Sequence, residues 1–171
     1  RCDGFSKLWY PYSQTKLSED SIKWMGELPN HLTFTYGKKQ VMVVHGSFSN
    51  VSEFIFESTP EDIKTDNFEQ TQCDVIIAGH CGLPFHQEVE GHLWLNPGVI
   101  GMPANEGKTR VWYMLLDEVD GKIKVTQEYF EYDHKTANQL MMTNHLPEAY
   151  ADTLLTGFWD NMEILPSTER K

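Results

Sequence analysis

The sequence contains few cysteines, and their spacing excludes the two roles that cysteine pairs commonly have. Cys2, Cys73 and Cys81 are an odd number and do not form a Cys-x-x-Cys pair. A disulfide framework and a structural zinc knuckle are therefore not indicated, because both need paired thiols at defined spacings. Free thiols are typical of a reducing compartment, so we expect a cytoplasmic location.

Basic side chains and long apolar stretches are also scarce. The 14 Lys and Arg residues are scattered and are outnumbered by 25 Asp and Glu residues, which gives a net charge of −11. This balance argues against a nucleic-acid-binding surface, because phosphate backbones are bound by clustered Lys and Arg. No apolar run approaches the length that spans a bilayer, so we expect no membrane partner. An acidic protein can still hydrolyse phosphate esters when metal ions supply the positive charge.

The length and composition favour one globular domain. The chain has 171 residues, of which 40% are hydrophobic and 23% are charged, and this is enough to form one sizeable core. We assign residues 1–159 to a single domain and residues 160–171, which show no periodicity, to a surface tail. Residues 1–4 resemble the middle of a loop, and we expect further sequence upstream of Arg1.

The hydrophobic pattern predicts an α/β domain. Ser18 is a suitable N-cap for a helix over residues 19–28. Residues 41–44 and 75–78 are short apolar runs typical of buried strands, and Thr-Pro-Glu-Asp at 59–62 predicts a helix start between them. These segments form a β-α-β unit. The remaining predicted elements are a strand at 32–36, an antiparallel meander at 85–90, 92–96, 109–117 and 122–130, and helices at 134–143 and 147–156.

A histidine directly follows each of the two buried strands. Residues 43–46 are Val-Val-His-Gly, and residues 77–82 are Ile-Ala-Gly-His-Cys-Gly. Because ligands gather at the carboxyl ends of parallel strands, we expect His45 and His80 to converge on one edge of the sheet. Glycine beside each histidine allows close backbone approach, and neutral imidazole is a common ligand of zinc, manganese and iron. A histidine at a strand end also occurs as a purely structural residue, so the motifs alone leave that role open.

The order of these motifs resembles the calcineurin-like metallophosphoesterase family, particularly its compact bacterial and archaeal phosphodiesterase branch. In that family a strand ending in His-Gly is followed by a helix, a strand ending in Gly-His-Thr-His, a short hairpin and an Asn-Pro-Gly loop. The corresponding segments here are 45–46, 79–82, 85–95 and 96–98. Residues 2–4 also resemble the end of the family's Gly-Asn-Cys-Asp-Gly loop. The resemblance covers roughly residues 1–130 and implies that this chain is the C-terminal part of such a domain.

The resemblance implies a four-layer αββα sandwich with mixed sheets and two divalent ions, which are manganese, iron or zinc. In the family, the histidines at positions 45 and 80 hold one ion, and the last histidine of the second motif helps to hold the other. Here that last histidine is replaced by Gly82, so we expect an open position and a weaker second ion. Cys81 and His86 are candidate substitutes, although a packed thiol and a surface histidine are the simpler interpretations.

The implied function is metal-dependent hydrolysis of a small-molecule phosphomonoester or phosphodiester by a metal-activated water. Asn96 and Gly98 are expected to shape the adjoining loop, because Asn-Pro-Gly is a turn signal. Gly82 favours an alternative: a binding module with the same fold but without catalysis, similar to the retromer subunit of this fold. Retention of both His45 and His80 favours an enzyme. An unrelated α+β domain with unconnected histidines is a third interpretation.

Overall fold

The computed structural model describes residues 3–170, which form five α-helices, seven β-strands and a short 3-10 helix. In chain order the elements are α1 (Asp3–Lys16), α2 (Glu19–Gly26), β1 (Leu32–Tyr36), β2 (Lys39–Val43), α3 (Glu61–Thr71), β3 (Val75–Ile77), β4 (Phe85–Val89), β5 (His92–Asn96), β6 (Val111–Val119), β7 (Lys122–Phe130), α4 (His134–Thr143), α5 (Glu148–Thr156) and the 3-10 helix Ser167–Glu169. Across this range, every helix is too short or too polar to cross a membrane. The expectations for Arg1 and Cys2 lie outside the described residues.

The strands form one mixed sheet of five and one hairpin sheet of two. The larger sheet has the order β1-β2-β3-β5-β4, in which β2, β3 and β5 are parallel and the two edge strands are antiparallel to their neighbours. Strands β6 and β7 pair antiparallel as the second sheet. The predicted α/β fold with a mixed sheet is confirmed, and α3 connects β2 to β3 as the predicted β-α-β unit.

Apolar side chains cover both faces of the larger sheet, which explains why its central strands are continuous apolar runs. On one face, Ile76 and Trp94 are buried in a core that includes Phe68 of α3. On the other face, Val41, Val75 and Leu95 are buried. The partly buried side chains packed against this second core from the hairpin sheet are Met114, Leu116, Ile123 and Val125. The larger sheet therefore lies between α3 and the β6–β7 hairpin.

Helix predictions succeed where a cap or a regular apolar stripe is present. Ser18 caps α2 as predicted, since its Oγ accepts a hydrogen bond of 3.2 Å from the Ser21 backbone N–H. Helices α4 and α5 also lie where they are predicted. Helix α1 is absent from the sequence prediction, and it begins within the segment predicted to be loop. The reason is Pro11 inside the helix, because proline normally interrupts helical hydrogen bonding.

The predicted meander is wrong in one respect, which concerns the sheet that β4 and β5 join. We expected the strands from 85 to 130 to form one antiparallel meander, but β4 and β5 belong to the first sheet, where β5 lies parallel to β3. Trp94 and Leu95 of β5 are both buried, on opposite faces. A strand that buries both faces is stable only between two covered layers, and the centre of the first sheet provides them.

The predicted surface tail also requires correction. Leu165 is 2% exposed and belongs to the same core as Ile76 and Trp94. The segment is held further by Glu169, whose Oε1 accepts a hydrogen bond of 2.9 Å from the Ser58 backbone N–H. The described part of the predicted tail, residues 160–170, is therefore anchored to the domain through Leu165 and Glu169.

Candidate metal centre

His45 and His80 lie side by side at the carboxyl ends of two parallel strands. Val43 of β2 is paired with Ile77 of β3, so the residues that follow leave the sheet together. The Gly79 backbone N–H donates a 2.8 Å hydrogen bond to the His45 carbonyl oxygen and continues the pairing beyond the strands. His80 Nδ1 and His45 Nε2 are 3.0 Å apart, and the ring centroids are 4.8 Å apart. The structure thus brings the two predicted ligands together.

The backbone of His80 has an uncommon conformation that directs its ring toward His45. Its φ angle is +60°, in the left-handed region that costs a non-glycine residue of order 1–3 kcal/mol. Such strain persists only where surrounding contacts fix it, and it is concentrated at functional sites. The Phe54 ring supplies one such contact, since its centroid is 4.2 Å from that of His80 and the planes differ by 30°.

A tight turn after β2 brings Phe54 back over the histidines. The Ser47 and Glu53 backbone N–H groups donate to the Asn50 carbonyl oxygen at 3.0 and 3.1 Å, which folds the loop onto itself. The Phe48 backbone N–H donates to Asn67 Oδ1 of α3 at 2.9 Å and anchors the loop. These bonds place the loop directly against residue 46, a glycine.

Burial sets the protonation preference of His80. Removal of its ring from solvent, followed by the proximity of His45, lowers the pKa of His80 below its ordinary value. A hydrogen bond with the Ser52 backbone opposes this shift. The lowered pKa favours the neutral imidazole, which is the form that binds metal ions.

Asn96 connects the His80 loop to the turn that follows β5. Its fully buried side chain donates from Nδ2 to the Gly79 carbonyl oxygen at 2.9 Å, and its Oδ1 accepts from the Gly98 N–H at 3.0 Å. Gly98 has φ +84°, and a Cβ there would lie 3.1 Å from the Trp112 Cβ. The two predicted loop-shaping residues thus contact each other, and Asn96 also contacts the residue preceding His80.

The structure does not bring Cys81 or His86 to the histidine pair. Cys81 is 1% exposed, and its Sγ donates to the Leu83 carbonyl oxygen at 3.6 Å. Burial raises the pKa of the Cys81 thiol to about 11, so it is protonated at neutral pH. His86 is exposed on the edge strand β4, which β5 separates from β3. Cys81 is therefore a packed thiol and His86 a surface histidine, which are the simpler of the two interpretations for each residue.

Gly82 is buried, and its surroundings differ from the open position expected there. Its φ is +75°, and a Cβ built on it would lie 3.4 Å from Met102 Cε and from two ring atoms of Trp159. Phe54, Met102 and Trp159 were not predicted to adjoin the site. Phe54 lies in a loop without periodicity, and the other two are 20 and 77 residues away along the chain from Gly82. No local sequence signal could have identified them.

The spacing of the two imidazole nitrogens fits one metal ion. Nitrogens bound at 2.0–2.1 Å to one ion lie about 2.8–3.4 Å apart for ligand angles between 90° and tetrahedral. The observed 3.0 Å between His45 Nε2 and His80 Nδ1 lies within this range. Binding of one ion by both rings would require these two nitrogens to be unprotonated. Within residues 3–170, no group of three or more His, Cys, Asp or Glu side chains could hold a metal ion, so the two imidazoles would supply only part of a coordination shell.

This arrangement of a mixed sheet with paired histidines at its edge is the one expected for metallophosphoesterases. A family model for the calcineurin-like phosphoesterase superfamily domain matches residues 2–121, more than half of the chain. The chain therefore belongs to the calcineurin-like phosphoesterase superfamily. An uncharacterized protein of Methanocaldococcus jannaschii is 26% identical over 163 residues, and the match covers 85% of this chain and 63% of that protein.

Two crystal structures share the fold. A hypothetical protein from Pyrococcus horikoshii has a TM-score of 0.72 at 24% identity, covering 85% of this chain and 57% of that one. A metallophosphoesterase from Sphaerobacter thermophilus has a TM-score of 0.67 at 24% identity, covering 84% of this chain and 65% of that one. At this identity the similarity concerns the fold. The chain spans 57–65% of the length of these three relatives.

Proposed function

We propose that the protein is a metal-dependent phosphoesterase that hydrolyses a small-molecule phosphomonoester or phosphodiester. The observation that carries the proposal is the convergence of His45 Nε2 and His80 Nδ1 to 3.0 Å at the carboxyl edge of the sheet. The proposal assigns both side chains as ligands of one divalent ion, which is manganese, iron or zinc. Membership of the calcineurin-like phosphoesterase superfamily supports the reaction class.

The residues around the histidines hold and orient them. The ring of Phe54 restricts rotation of the His80 ring, and the lowered pKa of His80 keeps its imidazole neutral. Asn96 holds the Gly79 carbonyl oxygen and thereby fixes the backbone that leads to His80. A bound divalent ion supplies positive charge for the phosphoryl oxygens and lowers the pKa of a water for in-line attack.

The charge of the chain supports a small substrate. A net charge of −11 repels polyanions such as nucleic acids, whereas a single phosphate ester requires only local positive charge. His45 is exposed, so the histidine pair is accessible to a molecule from solvent. We therefore propose a free phosphate ester as the substrate.

The proposal is tested by removing each imidazole from the full-length protein. We expect His45→Ala and His80→Ala to lose bound metal and to reduce ester hydrolysis at least about 100-fold. Inductively coupled plasma mass spectrometry measures the metal content. The assay substrates are p-nitrophenyl phosphate and bis(p-nitrophenyl) phosphate. His134→Ala is the control, because His134 lies at the start of α4, where its Nδ1 is 3.3 Å from the Tyr132 carbonyl oxygen. Unchanged metal content in both site variants would refute the assignment.

A binding module without catalysis is the second candidate, and the glycine at position 82 favours it. The same experiment separates the two candidates. Metal bound through His45 and His80 without measurable hydrolysis of either ester would support the binding module. Hydrolysis that depends on both histidines would support the enzyme.

A further inference from the structure

The position two residues after His80 is enclosed by apolar side chains. Gly82 is buried with φ +75°, and a Cβ there would contact Met102 Cε and the Trp159 ring at 3.4 Å. An imidazole extends well beyond its Cβ and needs space that these two side chains occupy. The backbone angle adds a second obstacle, because L side chains rarely adopt it.

Trp159 is fixed in this place by two hydrogen bonds. Its indole Nε1 donates to the Pro103 carbonyl oxygen at 2.8 Å, and its backbone N–H donates to Asn105 Oδ1 at 2.8 Å. The residue is 7% exposed and belongs to the same core as Cys81. Rotation of the indole away from Gly82 would break a buried hydrogen bond and open the core, so the ring is a fixed part of the site.

The loop that carries Met102 is also held from the C-terminal side. The Tyr150 hydroxyl of α5 donates to the Gly101 carbonyl oxygen at 3.2 Å. The Gly107 N–H donates to the Gly157 carbonyl oxygen at 3.1 Å, which joins the loop to the turn after α5. Met102 and Trp159 thus belong to two segments that are bonded to each other.

Neither side chain replaces the ligand that a histidine would supply. An indole N–H is a donor only, and that of Trp159 is already bonded. The thioether of Met102 is a soft ligand suited to copper(I) and a poor one for manganese or zinc. Among residues 3–170, the other two candidates are Cys81, whose thiol is bonded to Leu83, and the exposed His86 on β4.

We propose that the protein binds one divalent ion per chain, at His45 and His80, and that Met102 and Trp159 close the position of a second ion. This inference rests on the proposed function and specifies the metal content of that same site. The apolar wall formed by Met102 and Trp159 takes the place of a coordinating side chain and excludes a second cation.

The test is the metal stoichiometry of the full-length protein. After equilibrium dialysis against Mn²⁺, we expect one ion per chain at saturation and the six-line electron paramagnetic resonance signal of isolated Mn²⁺. His45→Ala should reduce the content to below 0.1 ion per chain, that is, at least about tenfold. Two ions per chain with a spin-coupled signal would overturn this inference and leave the proposed function standing. No bound ion would overturn both.

A substitution tests the wall directly. Gly82→His should still bind one ion, because the wall and the backbone angle prevent the new imidazole from reaching an ion. Gly82→Ala is the matched control for the backbone angle, and circular dichroism establishes that both variants fold. A second tight ion in Gly82→His would show that the position is open and would overturn the inference. If neither variant folds, the stoichiometry of the unaltered protein decides the question.

Discussion

At the scale of single residues, the histidine pair depends on a glycine that has no chemistry of its own. A Cβ at position 46 would lie 2.7, 2.8 and 2.9 Å from the backbone oxygens of Glu53, Val51 and Asn50. Real Cβ atoms do not approach oxygen so closely, and backbone oxygens cannot move aside as side chains do. Gly46 therefore lets the loop close directly over the end of β2, where His45 lies.

We expect Gly46→Ala to open this loop. The free energy of unfolding should fall by about 2–3 kcal/mol, because the methyl group clashes with fixed backbone atoms. The metal content should fall together with the stability, since the Phe54 ring would no longer pack against the His80 ring. Urea denaturation and elemental analysis measure the two effects. Gly26→Ala is the control, because nothing lies within 4 Å of a Cβ there, and equal stability losses in both variants would contradict the explanation.

The sequence predicts the ligand pair but only part of its surroundings. His45 and His80 follow apolar runs whose strand assignment is local, and the β-α-β rule makes such strands parallel neighbours. The convergence of His45 and His80 can therefore be predicted from two short segments of the sequence. The left-handed φ of His80 and its contact with Phe54 depend on how a loop packs, which has no periodic signal.

At the scale of elements, Asp74 joins the start of β3 to β2. Its Oδ1 accepts from Lys39 Nζ at 2.9 Å, and its Oδ2 accepts from the Gln40 backbone N–H at 2.8 Å. The hydrogen bond from Lys39, then that from Gln40, lowers the pKa of the Asp74 carboxyl. The folded state therefore stabilises the charged form. This contribution is fully present above the pKa of an unfolded Asp, about 3.9.

We expect Asp74→Asn to lower the free energy of unfolding by about 1 kcal/mol at pH 7, since the pair is partly exposed. The difference from the unaltered protein should shrink as the pH falls below about 4 toward the folded-state pKa, where Asp74 becomes neutral. Urea unfolding at pH 7 and pH 3 measures this. Asp66→Asn, exposed on α3, should change stability by less than about 0.5 kcal/mol. A difference that is independent of pH would contradict the role of the charge.

Element prediction fails where pairing is decided by distant residues. The hairpin of β4 and β5 is predicted correctly, because the Glu90-Gly91 turn is local. The sheet that this hairpin joins depends on which buried strand offers a free edge, and β3 provides it. The local alternation of apolar and polar residues does not determine which sheet the hairpin joins.

At the scale of the whole molecule, residues beyond the family match complete the domain. The match ends at residue 121, whereas Trp159 and Leu165 both belong to the main core. Short segments with single apolar residues show no periodicity, which is why residues 160–171 were predicted to be a surface tail. Burial of Leu165 is a property of the assembled core.

We expect Leu165→Ala to reduce the free energy of unfolding by about 2–4 kcal/mol, because it leaves a cavity in a packed core. Leu155→Ala is the control, since Leu155 is 44% exposed on α5 and should cost less than about 1 kcal/mol. Guanidinium denaturation of both variants measures the difference. Similar losses would mean that residue 165 is not packed as described.

The hydrogen bond between Ser58 and Glu169 spans 111 residues, and the one between Trp159 and Asn105 spans 54. Contacts of such separation form late, because the loop entropy is lost before the contact stabilises the chain. On the ribosome, β2, α3 and β3 are synthesised well before residue 159. The strands that carry the histidines are therefore synthesised before Trp159 and Leu165 can cover the core beside them, and we expect that apolar surface to be exposed to aggregation in the interval.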